Sequence, residues 1–170
     1  FSSGQLAQPP PTLRQAPPTP QQREAFKAFT SALGTASSLK ELHLRAVGLD
    51  ENTGGALGDA LGNNRALESL SLWRNALGGK GGKALFAGLR MNTSLTLLDM
   101  RSNGLNDDAG FAIASHLTTA KGSRLSQLAL SDNELGSESG RAIAKAWSDN
   151  AILAVLDVRG NRLDAETVKQ

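Results

Sequence analysis

The chain has 170 residues, which suits one domain, and 39% are hydrophobic but only 4% aromatic, so its core must be built from Leu, Ala, Val and Ile. The absence of cysteine excludes disulfides and thiolate metal sites and suits a reducing compartment, the cytoplasm of a cell or of a host, although a secreted bacterial protein would also fit. No apolar run approaches the ~18 residues of a membrane span, and a net charge of +2 is too small to signal nucleic acid, so no membrane and no nucleic-acid partner is expected.

The chain opens on Phe1, so any targeting segment upstream is out of view. Residues 1–20 hold all six prolines, which can neither continue a helix nor donate to a strand ladder. This stretch reads as a disordered leader: either a plain linker or a site for a groove that accepts polyproline helices. Residues 21–36 read as an N-terminal capping helix, with Phe26 and Phe29 covering the open end of a core.

Residues 37–170 are repetitive. Leu39, Leu67, Leu95, Leu125 and Leu153 open successive units, at steps of 28, 28, 30 and 28 residues. Each start reads as LxxLxL or a close variant: LKELHL, LESLSL, LTLLDM, LSQLAL and LAVLDV. An asparagine column follows at Asn75, Asn103, Asn133 and Asn161, with Val47 in the first unit. Behind it come a leucine column (Leu49, Leu77, Leu105, Leu135, Leu163) and a glycine column (Gly54, Gly82, Gly110, Gly140). Next stand Ala56, Ala84, Ala112 or Ala142, then Leu57, Leu85, Ile113 or Ile143, and four residues on Leu61, Leu89, Leu117 or Trp147. The first half of each unit has a strand period and the second half a helical apolar stripe. Neither element buries its apolar face alone, but stacked units form one continuous core. The expected fold class is α/β: an open arc of about five units, with parallel strands on the concave face and helices on the convex face. The last unit stops before a full helix, so its core end either continues or packs on something, which leaves self-association through that end open.

The pattern LxxLxLxxNxL, repeated at 28 residues with GxxALxxxL behind it, resembles the ribonuclease-inhibitor-like class of leucine-rich repeats over residues 24–170. The resemblance implies a horseshoe that grips a partner protein by its concave face, without cofactor or catalysis. True ribonuclease inhibitors are cysteine-rich, which this chain is not. Its Ala/Gly/Arg-rich repeats and Ser/Pro/Gln-rich leader look more like a bacterial effector delivered by type III secretion. Some effectors of that kind join repeats to a ubiquitin ligase. The alternative to a plain interaction module is therefore the substrate-recognition half of a larger enzyme whose catalytic domain lies outside this chain.

Alternation along the strands assigns the concave surface. One column is Glu41, Ser69, Leu97, Gln127 and Val155; the next is His43, Ser71, Asp99, Ala129 and Asp157. The third is Arg45, Trp73, Arg101, Ser131 and Arg159; the fourth is Ala46, Arg74, Ser102, Asp132 and Gly160. Trp73 between Arg45 and Arg101 has the composition of an interface anchor; the alternative is that it merely covers its neighbours' aliphatic stems. The partner-binding set is Trp73, Arg45, Arg101, Arg74, Arg159, His43 and Asp99. The arginines form a row able to read an acidic peptide or helix. Asp99 and Asp157, two residues before Arg101 and Arg159, offer them internal pairing instead. The asparagine column reads as structural, each amide satisfying backbone groups of its own and adjacent turns.

Three apparent chemical motifs fail. His43, Ser71 and Asp99 share a column, but serine stands in the middle and His43 falls about 10 Å from Asp99, so no hydrolase triad forms. LGGKGGKALF (77–86) imitates a phosphate loop, but Leu77 and Ala84 stand where Gly and Ser or Thr are required. Lys80 and Lys83 are then solvated, and His116 reads as a solvated or capping helix residue. Asn92-Thr93-Ser94 matches a glycosylation sequon, yet Asn92 shares a repeat column with Asn64 and Asn150. The mapped columns hold as many acids as arginines, unlike a phosphate-binding stripe.

Overall fold

The computed structural model describes residues 19–164. The leader up to residue 18 and the final residues 165–170 lie outside the described residues.

The first element is the helix α1, Pro20–Thr35. Thr19 and Gln22 form a reciprocal capping box, and Pro20 takes the first helical position, where its missing N–H costs nothing. Helix α1 therefore begins one residue inside the stretch that composition assigns to the leader. Leu33 is buried, and Phe26 and Phe29 pack half-buried on the core with ring centroids 6.1 Å apart.

Strand–helix units follow: β1 (Glu41–His43) and α2 (Thr53–Asn63), β2 (Ser69–Ser71) and α3 (Gly78–Leu89), β3 (Leu97–Asp99) and α4 (Asp107–Thr119), β4 (Gln127–Ala129) and α5 (Ser137–Ser148), then β5 (Val155–Asp157). The strands form one parallel sheet in the order β1-β2-β3-β4-β5. Register follows the repeat columns: Glu41, Ser69, Leu97, Gln127 and Val155 are successive partners, as are His43, Ser71, Asp99, Ala129 and Asp157. A strand occupies ~4.8 Å of sheet and a helix about 10 Å, so stacking bends the chain into an arc with the sheet on the concave side. Leu70, Leu98, Leu128, Leu57, Leu85 and Ile113 fill the layer between sheet and helices. Each contributes about 1.5–3 kcal/mol on full burial.

Two features fix the helix layer. First, α2 and α3 approach backbone to backbone: a Cβ on Gly58 would stand 2.9 Å from the carbonyl oxygens of Ala84 and Leu85. Gly88 faces the Gly58 carbonyl in the same interlock. Second, two asparagine ladders tie the turns. At the strand ends, Asn133 Oδ1 accepts from the Asn103 and Leu105 N–H groups at 2.9 and 3.0 Å, and its Nδ2 donates to Met100 and Leu130 carbonyls at 3.0 and 2.8 Å. Asn75 and Asn161 repeat the arrangement, and Asn103 Nδ2 donates to Leu72 and Arg101. At the helix ends, Asn64, Asn92 and Asn150 donate to Leu33, Leu61 and Leu117 and accept from their own turns.

The helix-end ladder breaks once. The position equivalent to Asn92 holds Gly122, inside the longer 30-residue step. His116 fills the gap, and this corrects the solvated reading: it is 4% exposed, packed edge-on against Phe86 with centroids 5.4 Å apart. Its Nε2 lies 3.4 Å from Ser123 Oγ, beside a cavity of about 10 Å³ lined by Leu89, Asn92, Leu95 and Leu125. Burial, then the Arg90 charge, disfavours the charged imidazole and lowers its pKa to about 4.

Two apolar columns also depart from expectation. Trp147, in the column of Leu61, Leu89 and Leu117, is 40% exposed, and its indole N–H donates to the Leu153 carbonyl at 2.7 Å. Leu39 is exposed where the later opening leucines are buried, since no described strand precedes β1.

Candidate functional site

The concave face is built where each strand ends. The first residue past the third concave column takes a left-handed backbone in every unit: Ala46 (φ 52°), Arg74 (58°), Ser102 (53°), Asp132 (58°) and Gly160 (66°). Side chains ordinarily avoid this region, but the ladder of asparagines at the next position pins the turn on both sides. The turn aims the third and fourth columns at the same surface, which brings Arg45, Trp73, Arg74 and Arg101 together.

Trp73 is half-buried, and three guanidinium carbons surround its ring, at 6.0 Å (Arg45), 5.8 Å (Arg74) and 5.3 Å (Arg101) from the centroid. Each is within cation–π range, worth about 0.5–1 kcal/mol at an exposed site. Beneath the ring a hydrogen-bonded row crosses three strands. Arg45 Nε donates to Ser71 Oγ at 3.1 Å, and Ser71 Oγ donates to Asp99 Oδ2 at 3.0 Å. Arg101 Nε and Nη2 donate to the two Asp99 oxygens at 2.9 Å each.

Asp99 is only 5% exposed, so it offers almost no surface of its own and acts on the concave face by holding Arg101. Burial raises its pKa, but hydrogen bonds from Arg101 and Ser71 outweigh that and leave it below the usual carboxylate range. The same pair raises the pKa of Arg101. Internal pairing and ring stacking thus occur together at Arg101.

Two members of the predicted set stand apart. His43 Nε2 lies 2.9 Å from Glu41 on its own strand, while the Ser71 hydroxyl bonds Arg45 and Asp99 instead, so the shared column forms no triad. Arg159 is paired with Asp157 at 2.8 and 2.9 Å and its side chain is 86% exposed. Hydrogen bonds from Arg159 lower the Asp157 pKa to about 2. Ser71, which sequence reasoning weighed only as a failed nucleophile, is the hydroxyl that links Arg45 to Asp99. Its place between them in adjacent concave columns was the available signal.

Among the described residues no cluster of three or more His, Asp or Glu could hold a metal ion, and no helix is long and apolar enough to cross a membrane. Lys80 and Lys83 are exposed on α3, which is an ordinary helix of the convex layer.

The family described as leucine-rich repeat matches residues 63–86, 92–114 and 125–144. No curated protein matches the sequence. Among solved structures, a tropomodulin C-terminal domain from Caenorhabditis elegans is 17% identical with a TM-score of 0.68, covering 85% of this chain and 87% of its own. The actin-binding site 2 of leiomodin-1 is also 17% identical, with a TM-score of 0.69 and 85% of both chains covered. At that identity the likeness is one of fold. It coincides with the column-by-column repeat, the three matched repeat segments and the single parallel sheet: the chain has the fold of a leucine-rich-repeat solenoid.

Proposed function

We propose that this chain binds a partner protein through its concave face, with Trp73 and its flanking arginines as the anchor. The observation that carries the reading is three guanidiniums within 6.0 Å of one half-buried indole on a strand-end surface. Tryptophan and arginine dominate interface energetics, and a ring already packed by its neighbours loses little entropy on binding. Leucine-rich repeats and the actin-binding neighbour support a protein-interaction module in general. Purified actin is one defined probe for it.

Affinity capture from a eukaryotic cell lysate tests the reading, comparing wild type with a folded Trp73→Ala/Arg74→Glu variant. A protein retained by wild type and lost by the variant supports it; identical captures move the function to another face. The finer reading, a bacterial effector meeting a host protein, rests on repeat and leader composition. The ubiquitin-ligase alternative rests on the same resemblance, and sequencing the full gene tests both.

A second reading, stacking of two copies through the β5 end, is favoured by Ile152 (46% exposed) and Val155 (53% exposed) at that end. It predicts a mass that rises with concentration in light scattering; a constant monomer mass removes it.

A further inference from the structure

The surface around Trp73 carries positive charge that its surroundings do not neutralise. Three guanidiniums meet one carboxylate, Asp99, which is committed to Arg101. Arg45 uses its Nε on the neutral Ser71 hydroxyl, so its terminal nitrogens are left over, and neither Arg45 nor Arg74 has an ion pair among the described residues.

The sign changes along the arc. The fourth column carries Arg74 on the second unit and exposed Asp132 on the fourth, while Asp157 on β5 is paired with Arg159. Both aspartates contribute to the field that holds Arg101 charged. The positive patch therefore covers only the ends of β1, β2 and β3, about 10 Å across two strand spacings, and then stops.

We propose that this patch receives a short acidic segment of the partner protein, with carboxylates pairing to Arg45 and Arg74 while an apolar side chain covers the Trp73 edge. This rests on the concave-face reading and specifies its partner. Guanidinium forks match carboxylates in a bidentate geometry. The donors are pre-set: Asp99 holds Arg101, Ser71 holds Arg45, and the left-handed backbone aims Arg74. A nucleic-acid backbone fits less well, because its phosphates would continue onto the exposed Asp132 carboxylate.

The chain has two tryptophans, so Trp147→Phe leaves Trp73 as the sole indole and its fluorescence as the readout. This variant, checked for folding by circular dichroism, is titrated with hexaglutamate, hexalysine and hexathymidylate. The expected result is a saturable change with hexaglutamate alone, weakened about tenfold or more by Arg45→Ala/Arg74→Ala or by high salt. No saturable change, equal binding by the double variant, or tighter binding of the oligonucleotide overturns the proposal. Asp99→Asn separates placed guanidiniums from bulk charge. It adds net positive charge yet frees Arg101, so the proposal expects weaker binding, and tighter binding overturns it. If the peptide fails while lysate capture still depends on Trp73, the acidic-segment inference falls and the concave-face reading stands.

Discussion

The Arg101 guanidinium stands 5.3 Å from the Trp73 ring centroid while both Asp99 oxygens hold it from behind. Support and contact surface are therefore one unit. Asp99→Asn removes the charge that fixes Arg101 and leaves its partners under-satisfied, at a cost of about 1–3 kcal/mol in urea denaturation. Wild-type stability from Asp99 is present above the unfolded carboxyl value and is lost as pH falls through its depressed folded value. An Asp99→Asn variant as stable as wild type at neutral pH would show that the row beneath Trp73 is dispensable.

Arg74 combines a left-handed backbone with a guanidinium 5.8 Å from the Trp73 ring centroid. Arg74→Gly relieves a conformation that costs a side chain roughly 1–2 kcal/mol, offset in part by the entropy of glycine. The expected outcome is a gain of about 0.5–1 kcal/mol in chemical denaturation with loss of partner capture. Ser102→Gly, in the same column one unit on, gains stability by the same mechanism and keeps capture.

His116 makes stability sensitive to mild acid. Its folded pKa is about 4 against 6.5 when unfolded, so the unfolded chain takes up a proton first as pH falls below 6.5. Its contribution is intact above that value and declines toward pH 4, by up to about 3 kcal/mol. His116→Gln flattens the urea midpoint across this window. An unchanged slope in the variant would place the sensitivity elsewhere.

The α2–α3 interlock leaves no room for a methyl group at Gly58. Gly58→Ala improves helix propensity but forces the helices apart against the Ala84 and Leu85 carbonyls. The net expectation is a loss of about 1–3 kcal/mol by thermal melting. Gly55→Ala, where an added Cβ meets only the Ala84 side chain at 3.8 Å, stabilises instead.

The leucine and asparagine columns were legible because stacking repeats the same demand in every unit: Leu70, Leu98 and Leu128 meet one layer, and Asn75 and Asn133 meet one pair of turns. The surface columns were legible for the same reason, since strand register carries Arg45, Trp73 and Arg101 to one place. What escaped depends on single-unit substitutions. His116 is buried beside Ser123, at the one repeat turn where Gly122 interrupts the asparagines of a different column, a meeting of two columns that no periodicity displays. Trp147 breaks its leucine column, and its indole N–H takes the Leu153 carbonyl as acceptor. The role of Ser71 depends on which neighbours its hydroxyl reaches, and composition cannot specify that.

Whether binding resides on the concave face at Trp73 is decided by quantitative capture with three folded surface variants side by side. Trp73→Ala/Arg74→Glu alters the concave patch, Lys83→Glu/Phe111→Glu the convex groove between α3 and α4, and Ile152→Glu/Val155→Glu the β5 end. Only the concave variant is expected to lose the partner, by about tenfold or more. Retention by the concave variant with loss by either of the others would contradict it.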